Sequence, residues 1–325
     1  MSALLEVRGL RVAFETRRGP LIAIDDVSFD IAEGEILGMV GESGAGKSVT
    51  GTAILGLLDP PARRIAGEIH LDGERIDILP PEAMRRLRGK RIGAIFQDPL
   101  TSLDPLFTLG QQLVETILVH EPIGAEAARA RAMSLLAEVG IPAPEARFHQ
   151  YPHQLSGGMR QRVVIALALC AQPRLVIADE PTTALDVSTQ AQIIELLKRL
   201  ARTHGTAVLL ITHDMGVIAE TADRVAVLYA GRLAEIGPVR DIVHAPKHPY
   251  TEGLMGAIPR LGALRSRLSQ IDGAMPRLDA IPPGCAFHPR CAHRVDRCSV
   301  DRPQPVRHGD REVACWLHAE HARDR

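Results

Sequence analysis

Apolar and polar residues alternate in the N-terminal part of the chain with the two-residue period of β-strands. Residues 4–14 and residues around 27–31 show this alternation, which predicts strands with one exposed face. Residues 34–40 form a short apolar run, typical of a buried strand, and a glycine-rich turn follows directly. Helical spacing of apolar residues then predicts a helix over residues 47–58.

Two further buried strands are predicted later in the chain, and both end on polar residues. Residues 175–178 precede Asp179 and Glu180, and residues 207–211 precede a polar group that includes His213. Strands that end in this way and alternate with helices indicate an α/β fold with a site at the carboxyl ends of its strands.

The character of the chain changes in its middle and again near Gly237. Residues from about 98 to 150 are polar and helix-rich. From about Gly237 onward, prolines interrupt the chain at positions 238, 246, 249, 259, 276, 282 and 283. We therefore predict one domain over residues 1–236 and an accessory region over residues 237–325.

Composition and charge exclude several classes of protein. Hydrophobic residues make up 46% and charged residues 24%, which argues against a disordered chain. Lys+Arg of 38 against Asp+Glu of 39 gives a net charge of −1, which provides no basic field for nucleic acid. The longest apolar stretch, residues 163–171, is too short to span a membrane, and Glu6 and Arg8 interrupt any signal-peptide core. We expect a cytoplasmic protein.

The turn after residues 34–40 carries a phosphate-binding motif. Gly41-Glu42-Ser43-Gly44-Ala45-Gly46-Lys47-Ser48 matches G-x-x-x-x-G-K-[ST] in full. Backbone N–H groups in such a loop point at phosphate oxygens, and the following helix N-terminus adds positive charge. Lys47 is expected to reach the β- and γ-phosphates, and the Ser48 hydroxyl to bind Mg²⁺. The alternative is a chance match, but the predicted strand before and helix after are the context that this motif needs.

The acids after residues 175–178 are candidates for the chemistry of hydrolysis. Asp179 is placed to hold Mg²⁺ through water, and Glu180 to polarise an attacking water molecule. Two adjacent acids can also simply cap the next helix. The pair therefore indicates hydrolysis only in combination with the phosphate loop.

A third motif resembles a known family. Leu155-Ser156-Gly157-Gly158-Met159-Arg160-Gln161-Arg162 is similar to the signature of ATP-binding-cassette (ABC) ATPases, although a plain Ser-Gly-Gly helix start is the alternative. At a helix start these residues would form a second anion-binding end. The resemblance covers about residues 3–236. It implies a RecA-like P-loop core with an antiparallel β subdomain, a helical signature subdomain at about residues 98–155, and an irregular cysteine-containing C-terminal region.

The family resemblance also implies roles for individual residues in a head-to-tail ATPase dimer. Phe96-Gln97-Asp98-Pro99 looks like the Q-loop, and Ala184-Leu185-Asp186 like the D-loop. The residues implied to bind ATP are Phe14, Gly41, Ser43, Gly44, Ala45, Gly46, Lys47, Ser48, Val49, Gln97, Asp179, Glu180 and His213, with Ser156, Gly157, Gly158 and Asp186 acting from the partner subunit. Mg²⁺ would be held by Ser48, Gln97 and Asp179. The residues implied to be catalytic are Glu180, His213, Lys47 and Gln97. Phe14 could instead pack in the core, and a lone histidine is more often structural.

Three narrower segments resemble the ATPases of peptide permeases. Residues 97–105 look like their QDPxTSLNP segment, with Asp104 in place of Asn, residues 248–251 and 257–259 resemble HPYT…AIP, and residues 284–291 match GCxFHPRC. This implies an importer ATPase for dipeptides or oligopeptides, with nickel or another small solute as the alternative cargo. The implied partners are a second, non-identical ATPase, two membrane permeases that dock near residues 97–109, and an extracytoplasmic peptide-binding protein. The subunit would lie on the cytoplasmic face of the inner membrane.

Two alternative functions have less support in the sequence. Soluble ABC ATPases that act on nucleic acid or ribosomes usually fuse two cassettes or carry basic insertions, whereas this chain has one cassette and near-neutral charge. We therefore expect no nucleic-acid partner. A redox sensor with a vestigial ATPase is disfavoured because the hydrolytic residues are complete.

Four of the five cysteines lie in the last 41 residues with the spacing C-x5-C-x6-C-x16-C. Structural disulfides are uncommon in a reducing cytoplasm, and structural zinc usually has C-x2–4-C pairs. Four thiolates also suit an iron–sulfur cluster, although the gaps differ from ferredoxin spacing. The family resemblance implies a [4Fe–4S] cluster on Cys285, Cys291, Cys298 and Cys315, with Zn²⁺ as the alternative. Cys170, in an apolar helix, is predicted to be a core residue.

Overall fold

The computed structural model describes residues 3–99, 101–183, 185–257 and 271–318. Its strands are β1 (Ala3–Phe14), β2 (Leu21–Ala32), β3 (Ile36–Val40), β4 (Ala62–Leu71), β5 (Glu74–Arg75), β6 (Ile92–Ile95), β7 (Leu175–Asp179), β8 (Ala207–Ile211), β9 (Arg224–Tyr229), β10 (Arg232–Pro238), β11 (Val306–His308) and β12 (Arg311–Val313). Its helices are α1 (Lys47–Ile54), α2 (Pro81–Leu87), α3 (Leu109–His120), α4 (Ala125–Glu138), α5 (Pro144–Phe148), α6 (Gly157–Leu169), α7 (Val187–His204), α8 (Met215–Thr221), α9 (Val239–His244) and α10 (Pro249–Gly256).

The described residues fall into two compact units. The first unit contains those within Met1–Leu4, Ala32–Ile36 and Ile78–Leu210. The second unit contains those within Leu5–Ile31, Leu37–Asp77 and Ile211–Arg325. Each unit combines strands with helices, in agreement with the predicted α/β class.

In the first unit, short parallel strands accompany a group of helices. The strand order is β8-β7-β6, and β6 pairs with β7 in the parallel register Ile92↔Leu175. The polar stretch that predicts helices forms α3, α4 and α5. α3 begins with a capping box between Thr108 and Gln111, which satisfies N–H groups that the first helical turn leaves unpaired.

The second unit holds two groups of strands. The first has the order β2-β1-β4-β5, in which β1 pairs antiparallel with β4 and β4 with β5. The other has the order β11-β12-β10-β9-β3, in which only the β9–β3 pair is parallel. All five residues of β3 are buried, as its continuous apolar sequence predicts.

Two element boundaries differ from the sequence-based predictions by more than two residues. The helix predicted over residues 47–58 ends at Ile54, because Gly56 adopts a left-handed φ of 63° that terminates the helix. The strand predicted around residues 27–31 begins at Leu21, since Asp25 and Asp26 hide its alternation. β9 and β10 were not predicted. Gly237 and Pro238, from which the boundary was inferred, are the last residues of β10.

The C-terminal region contains some regular structure as well as irregular turns. Short 3₁₀ turns occupy His288–Arg290, Asp296–Ser299 and Trp316–His318. Strands β11 and β12 form a hairpin, and β12 pairs antiparallel with β10. The division of the chain between residues 236 and 237 remains a prediction.

Candidate active site

The phosphate loop connects β3 to α1 in the second unit. Ser43 and Gly44 are exposed at its tip, whereas Ala45 is fully buried. The ammonium group of Lys47 donates hydrogen bonds to the backbone oxygens of Gly41, at 2.8 Å, and Glu42, at 3.1 Å. These hydrogen bonds hold Lys47 against the phosphate loop, to which its ammonium group would add positive charge.

Two glycines of the motif are required by close packing. A Cβ atom on Gly41 would lie 2.3 Å from the backbone oxygen of Leu228. Gly46 has a φ of 103°, and a Cβ atom there would lie 2.4 Å from Ile24 Cδ1 and 3.2 Å from the backbone oxygen of Ala23. The path of the loop therefore depends on the absence of side chains at these two positions.

The other predicted ATP-binding residues of this unit lie at the start of α1, at the end of a strand or shortly after one. Ser48 is exposed in the first turn of α1, where N–H groups favour an anion, and Val49 follows it. Phe14 is the half-buried last residue of β1, and His213 is exposed shortly after β8. Adenine stacking by Phe14 and phosphate contact by His213 remain predictions.

In the first unit, the Glu180 carboxylate accepts hydrogen bonds from the side chains of Gln97 and Thr183. Gln97 Nε2 lies 3.2 Å from Glu180 Oε2, and Thr183 Oγ1 lies 2.9 Å from the same oxygen. Glu180 has a left-handed φ of 46°, directly after Asp179 ends β7. Neither acid caps α7, because the cap of that helix is Asp186. The alternative in which the two acids merely cap the next helix is therefore wrong.

The signature residues also lie in the first unit, at the start of α6. Ser156 is the N-cap, and its hydroxyl accepts the Met159 N–H at 3.4 Å. Gly157 and Gly158 form the first turn, and a Cβ atom on Gly158 would lie 2.7 Å from Thr189 Cγ2. The helix start is where the sequence predicts it, and its first-turn N–H groups are of the kind that binds anions; contact with ATP from the partner subunit remains a prediction.

Asp186, the last residue of the D-loop motif, is the N-cap of α7. Its carboxylate accepts the Thr189 N–H at 3.0 Å and the Thr189 hydroxyl at 2.7 Å. These hydrogen bonds hold the pKa of the Asp186 carboxyl below its usual value. Ala184 of the D-loop, Leu100 near the Q-loop, and Ile258 and Pro259 of the AIP segment lie outside the described residues.

The four C-terminal cysteines are free thiols. The Cys285 N–H donates to the backbone oxygen of Cys298 at 2.9 Å. Burial raises the pKa of Cys285 and Cys291, and raises that of Cys315 to about 11, whereas metal ligation needs thiolates. Across the described ranges, which include all four cysteines, no three Cys, His, Asp or Glu side chains are grouped closely enough to hold a metal ion. The arrangement therefore does not support the predicted [4Fe–4S] cluster, nor the zinc alternative.

Cys170 is 1% exposed, so its prediction as a core residue is confirmed. In the part of the chain that the structure describes, no helix combines the length and the apolar character that crossing a membrane requires.

The sequence motifs do not identify every residue that contacts the predicted site residues. Thr183 belongs to none of the predicted motifs, although it lies three residues after the candidate base and donates a hydrogen bond to it. Contacts of Glu42 with Tyr250 and Arg290 were missed because these partners are 208 and 248 residues away in the chain. No local pattern could reveal those contacts.

Comparisons with known proteins identify both parts of the chain. A family model described as ABC transporter matches residues 24–183, and one described as the oligopeptide/dipeptide transporter C-terminal region matches residues 234–298. The dipeptide transport ATP-binding protein DppD of Bacillus subtilis is 50% identical, with 99% of this chain and 98% of that protein covered. DppD of Escherichia coli is 46% identical, with 93% and 92% covered.

Solved structures give the same fold. A dimeric ATP-binding cassette in a post-hydrolysis state, bound to ADP and Pi, aligns with a TM-score of 0.65 and 29% identity, covering 73% of this chain and 99% of that one. CbiO1 of Clostridium perfringens, part of an ABC transporter complex, aligns with a TM-score of 0.66 and 27% identity, covering 75% and 92%. The predicted RecA-like cassette fold is confirmed.

Proposed function

The chain belongs to the family of ABC transporter ATP-binding proteins, and from this membership we propose that it is the ATP-hydrolysing subunit of a peptide importer. The relatives that match nearly its full length carry names for dipeptide or oligopeptide transport. The match of residues 234–298 to the oligopeptide/dipeptide transporter C-terminal region supports the same cargo class.

The observation that carries the hydrolytic assignment is the geometry around Glu180. Its carboxylate is oriented by Gln97 and Thr183, at 3.2 and 2.9 Å, at the end of a buried strand. A carboxylate fixed in this way suits a general base that polarises water. In the proposed reaction that water attacks the γ-phosphate of ATP and ADP leaves.

The remaining residues bind and orient the nucleotide. Backbone N–H groups of the phosphate loop and the Lys47 ammonium would hold the phosphates, and His213 would contact the γ-phosphate. Ser48, Gln97 and Asp179 are the residues proposed to hold Mg²⁺, because each carries an oxygen atom of the kind that this ion prefers. When bound, Mg²⁺ offsets negative charge on the phosphates.

The assembly proposed for this subunit follows from the family. Ser156, Gly157, Gly158 and Asp186 would face ATP held by a second ABC ATPase, which we propose to be a non-identical chain. ATP-driven closure of that dimer would power two membrane permeases, supplied by an extracytoplasmic peptide-binding protein. The subunit would be peripheral, on the cytoplasmic face of the inner membrane. The cassette over residues 1–236 and the accessory region over residues 237–325 are the proposed domains.

Replacing the candidate base tests the proposal. We expect Glu180→Gln to bind MgATP normally but to lower the release of phosphate by at least about a hundredfold, because general-base catalysis contributes on that scale. Mixed with its partner ATPase, the variant should accumulate as an ATP-bound dimer in size-exclusion chromatography. Glu195→Gln, on the exposed face of α7, is the matched control and should retain activity. Phosphate release near the wild-type rate from Glu180→Gln would refute the assignment of the base.

The [4Fe–4S] cluster is a separate and finer proposal within this function. It is supported by the family resemblance of residues 284–291, but the described thiols would have to move closer together to ligate a metal. Anaerobic purification with iron, sulfide and zinc analysis tests it. About four iron atoms per chain, lost in Cys298→Ser but not in Cys170→Ala, would support the cluster. Stoichiometric zinc without iron would overturn it.

A further inference from the structure

The C-terminal region contacts the phosphate loop at Glu42. The backbone N–H of Glu42 donates to the Tyr250 hydroxyl at 2.8 Å. The Arg290 guanidinium donates to both carboxylate oxygens of Glu42, at 2.9 and 3.1 Å. Tyr250 belongs to the HPYT segment and Arg290 to the GCAFHPRC segment, and the proposed function assigns a task to neither.

Tyr250 is rigidly placed. It is fully buried in the first turn of α10, which His248 caps by accepting the Tyr250 N–H on its Nδ1 atom at 3.0 Å. The Tyr229 and Phe287 rings pack against it, with centroid distances of 4.6 and 5.4 Å. Its hydroxyl oxygen is therefore a fixed acceptor, because neither the backbone nor the ring can move without disturbing this aromatic group.

Arg290 is held just as firmly. Its side chain is only 8% exposed. Its Nε also donates to the backbone oxygen of Asp272, at 2.9 Å, and its Nη1 to the Tyr229 hydroxyl, at 3.4 Å. An arginine fork that other groups already orient loses little further freedom when it binds a carboxylate on two oxygens.

The peptide group between Gly41 and Glu42 links these contacts to Lys47. Its N–H binds Tyr250, and its carbonyl oxygen accepts the Lys47 ammonium at 2.8 Å. Because a peptide group is planar, fixing the N–H also fixes the direction of the carbonyl. The next carbonyl, that of Glu42, accepts both Lys47 Nζ and the Ala45 N–H. A displacement of Glu42 would therefore rotate the carbonyls that place the lysine.

We propose that Tyr250 and Arg290 are positioning residues that hold the phosphate loop and Lys47 in place through Glu42, so that the C-terminal region sets the affinity for ATP. The inference rests on the proposed function, since it concerns the binding of the ATP that is hydrolysed. Neither residue touches nucleotide. Both act through the Gly41–Glu42 peptide and the Glu42 carboxylate.

The test compares MgATP affinity across variants of the full chain. Each is made in the Glu180→Gln background, so that binding is measured by calorimetry without turnover. Tyr250→Phe removes only the hydroxyl acceptor and should weaken MgATP binding about threefold to tenfold. Arg290→Met and Glu42→Gln should each weaken it to a similar extent. The double variant that carries both Arg290→Met and Glu42→Gln should bind MgATP no more weakly than either single variant, because both substitutions remove the same contact.

Two further variants separate positioning from general stability. Arg290→Lys keeps the charge and should recover part of the affinity that Arg290→Met loses. Arg302→Met is the matched control, because Arg302 anchors the same region to Asp25, with contacts of 3.1 and 2.8 Å, and not to the phosphate loop. Its MgATP affinity should stay within twofold of the parent. Thermal unfolding verifies that each variant is folded. If Arg290→Met does not fold, Tyr250→Phe tests the proposal.

The outcomes are distinct. Wild-type affinity in Tyr250→Phe and Glu42→Gln would overturn the positioning role. An equal loss in Arg302→Met would also overturn it, because the effect would then come from the docking of the region as a whole. Failure of the unmodified chain to bind MgATP would instead refute the proposed function.

Discussion

Gln97 donates a hydrogen bond from Nε2 to the Glu180 carboxylate at 3.2 Å, across 83 residues of the chain. The Thr183 hydroxyl donates to the same carboxylate oxygen, at 2.9 Å. Both donors converge on Oε2, so the orientation of the carboxylate is fixed by two side chains from different loops. A base that is oriented before the substrate arrives avoids the cost of ordering it in the transition state.

The Thr183 contact predicts a selective loss of turnover. Thr183→Val keeps the shape of the side chain and removes the donor to Glu180. We expect kcat to fall by at least about tenfold, since a hydrogen bond to a charged group contributes roughly 1.5–3 kcal/mol. The KM for ATP should change less than twofold, because the hydroxyl orients the base and does not bind the nucleotide. Steady-state phosphate release measures both constants.

Thr203→Val is the control for this experiment. Thr203 is exposed on α7 in the same unit. The Thr203→Val variant should have the kcat and KM of the wild type. A fall in kcat of similar size in both variants would show that the loss comes from the valine substitution and not from the contact with Glu180.

The packing of Gly41 predicts that even one methyl group disrupts the phosphate loop. In Gly41→Ala the new Cβ would lie 2.3 Å from the Leu228 backbone oxygen, which cannot move aside as a flexible side chain could. We expect the affinity for MgATP to fall at least tenfold in calorimetric titration. Gly73→Ala is the control. Gly73 also has a left-handed φ, of 76°, but no atom lies within 4 Å of the new Cβ, so this variant should bind MgATP normally. Tight binding by Gly41→Ala would contradict the close approach.

Burial of Cys170 predicts an unreactive thiol. Burial raises its pKa to about 11, so the nucleophilic thiolate is rare at pH 8. In the folded protein, we expect alkylation by iodoacetamide at this position to be at least about a hundredfold slower than in urea. Peptide mass mapping assigns the label, and Cys170→Ala identifies the peptide. Rapid labelling of Cys170 under native conditions would show that the helix opens.

Local sequence patterns explain which parts of the site could be predicted. The phosphate loop, the end of β7 and the start of α6 are each encoded by residues that are adjacent in the chain, so their motifs locate them. The contact of Arg290 with Glu42 spans 248 residues and depends on tertiary packing. The four cysteines were predicted to share a cluster from their resemblance alone, and their spacing could not specify how far apart the fold would place them.

The buried His248 predicts a loss of stability in mild acid. It is 4% exposed, and burial lowers its pKa to about 4, with the charge of His318 acting in the same direction. Its Nδ1 atom accepts the Tyr250 N–H, which requires the unprotonated nitrogen. The unfolded chain takes up the proton near pH 6.5, whereas the folded chain does not. Stability is therefore complete above about pH 6.5 and decreases as the pH falls toward 4.

The loss should approach about 1.4 kcal/mol per pH unit within that window, because one proton distinguishes the two states. Urea unfolding at pH 7, 6 and 5 measures it. In His248→Asn the amide oxygen can still cap α10 but does not titrate, so this variant should lose less stability between pH 6.5 and 4. His244→Asn, at an exposed position in α9, should follow the wild type. Parallel pH profiles for His248→Asn and the wild type would show that the buried imidazole does not cause the dependence.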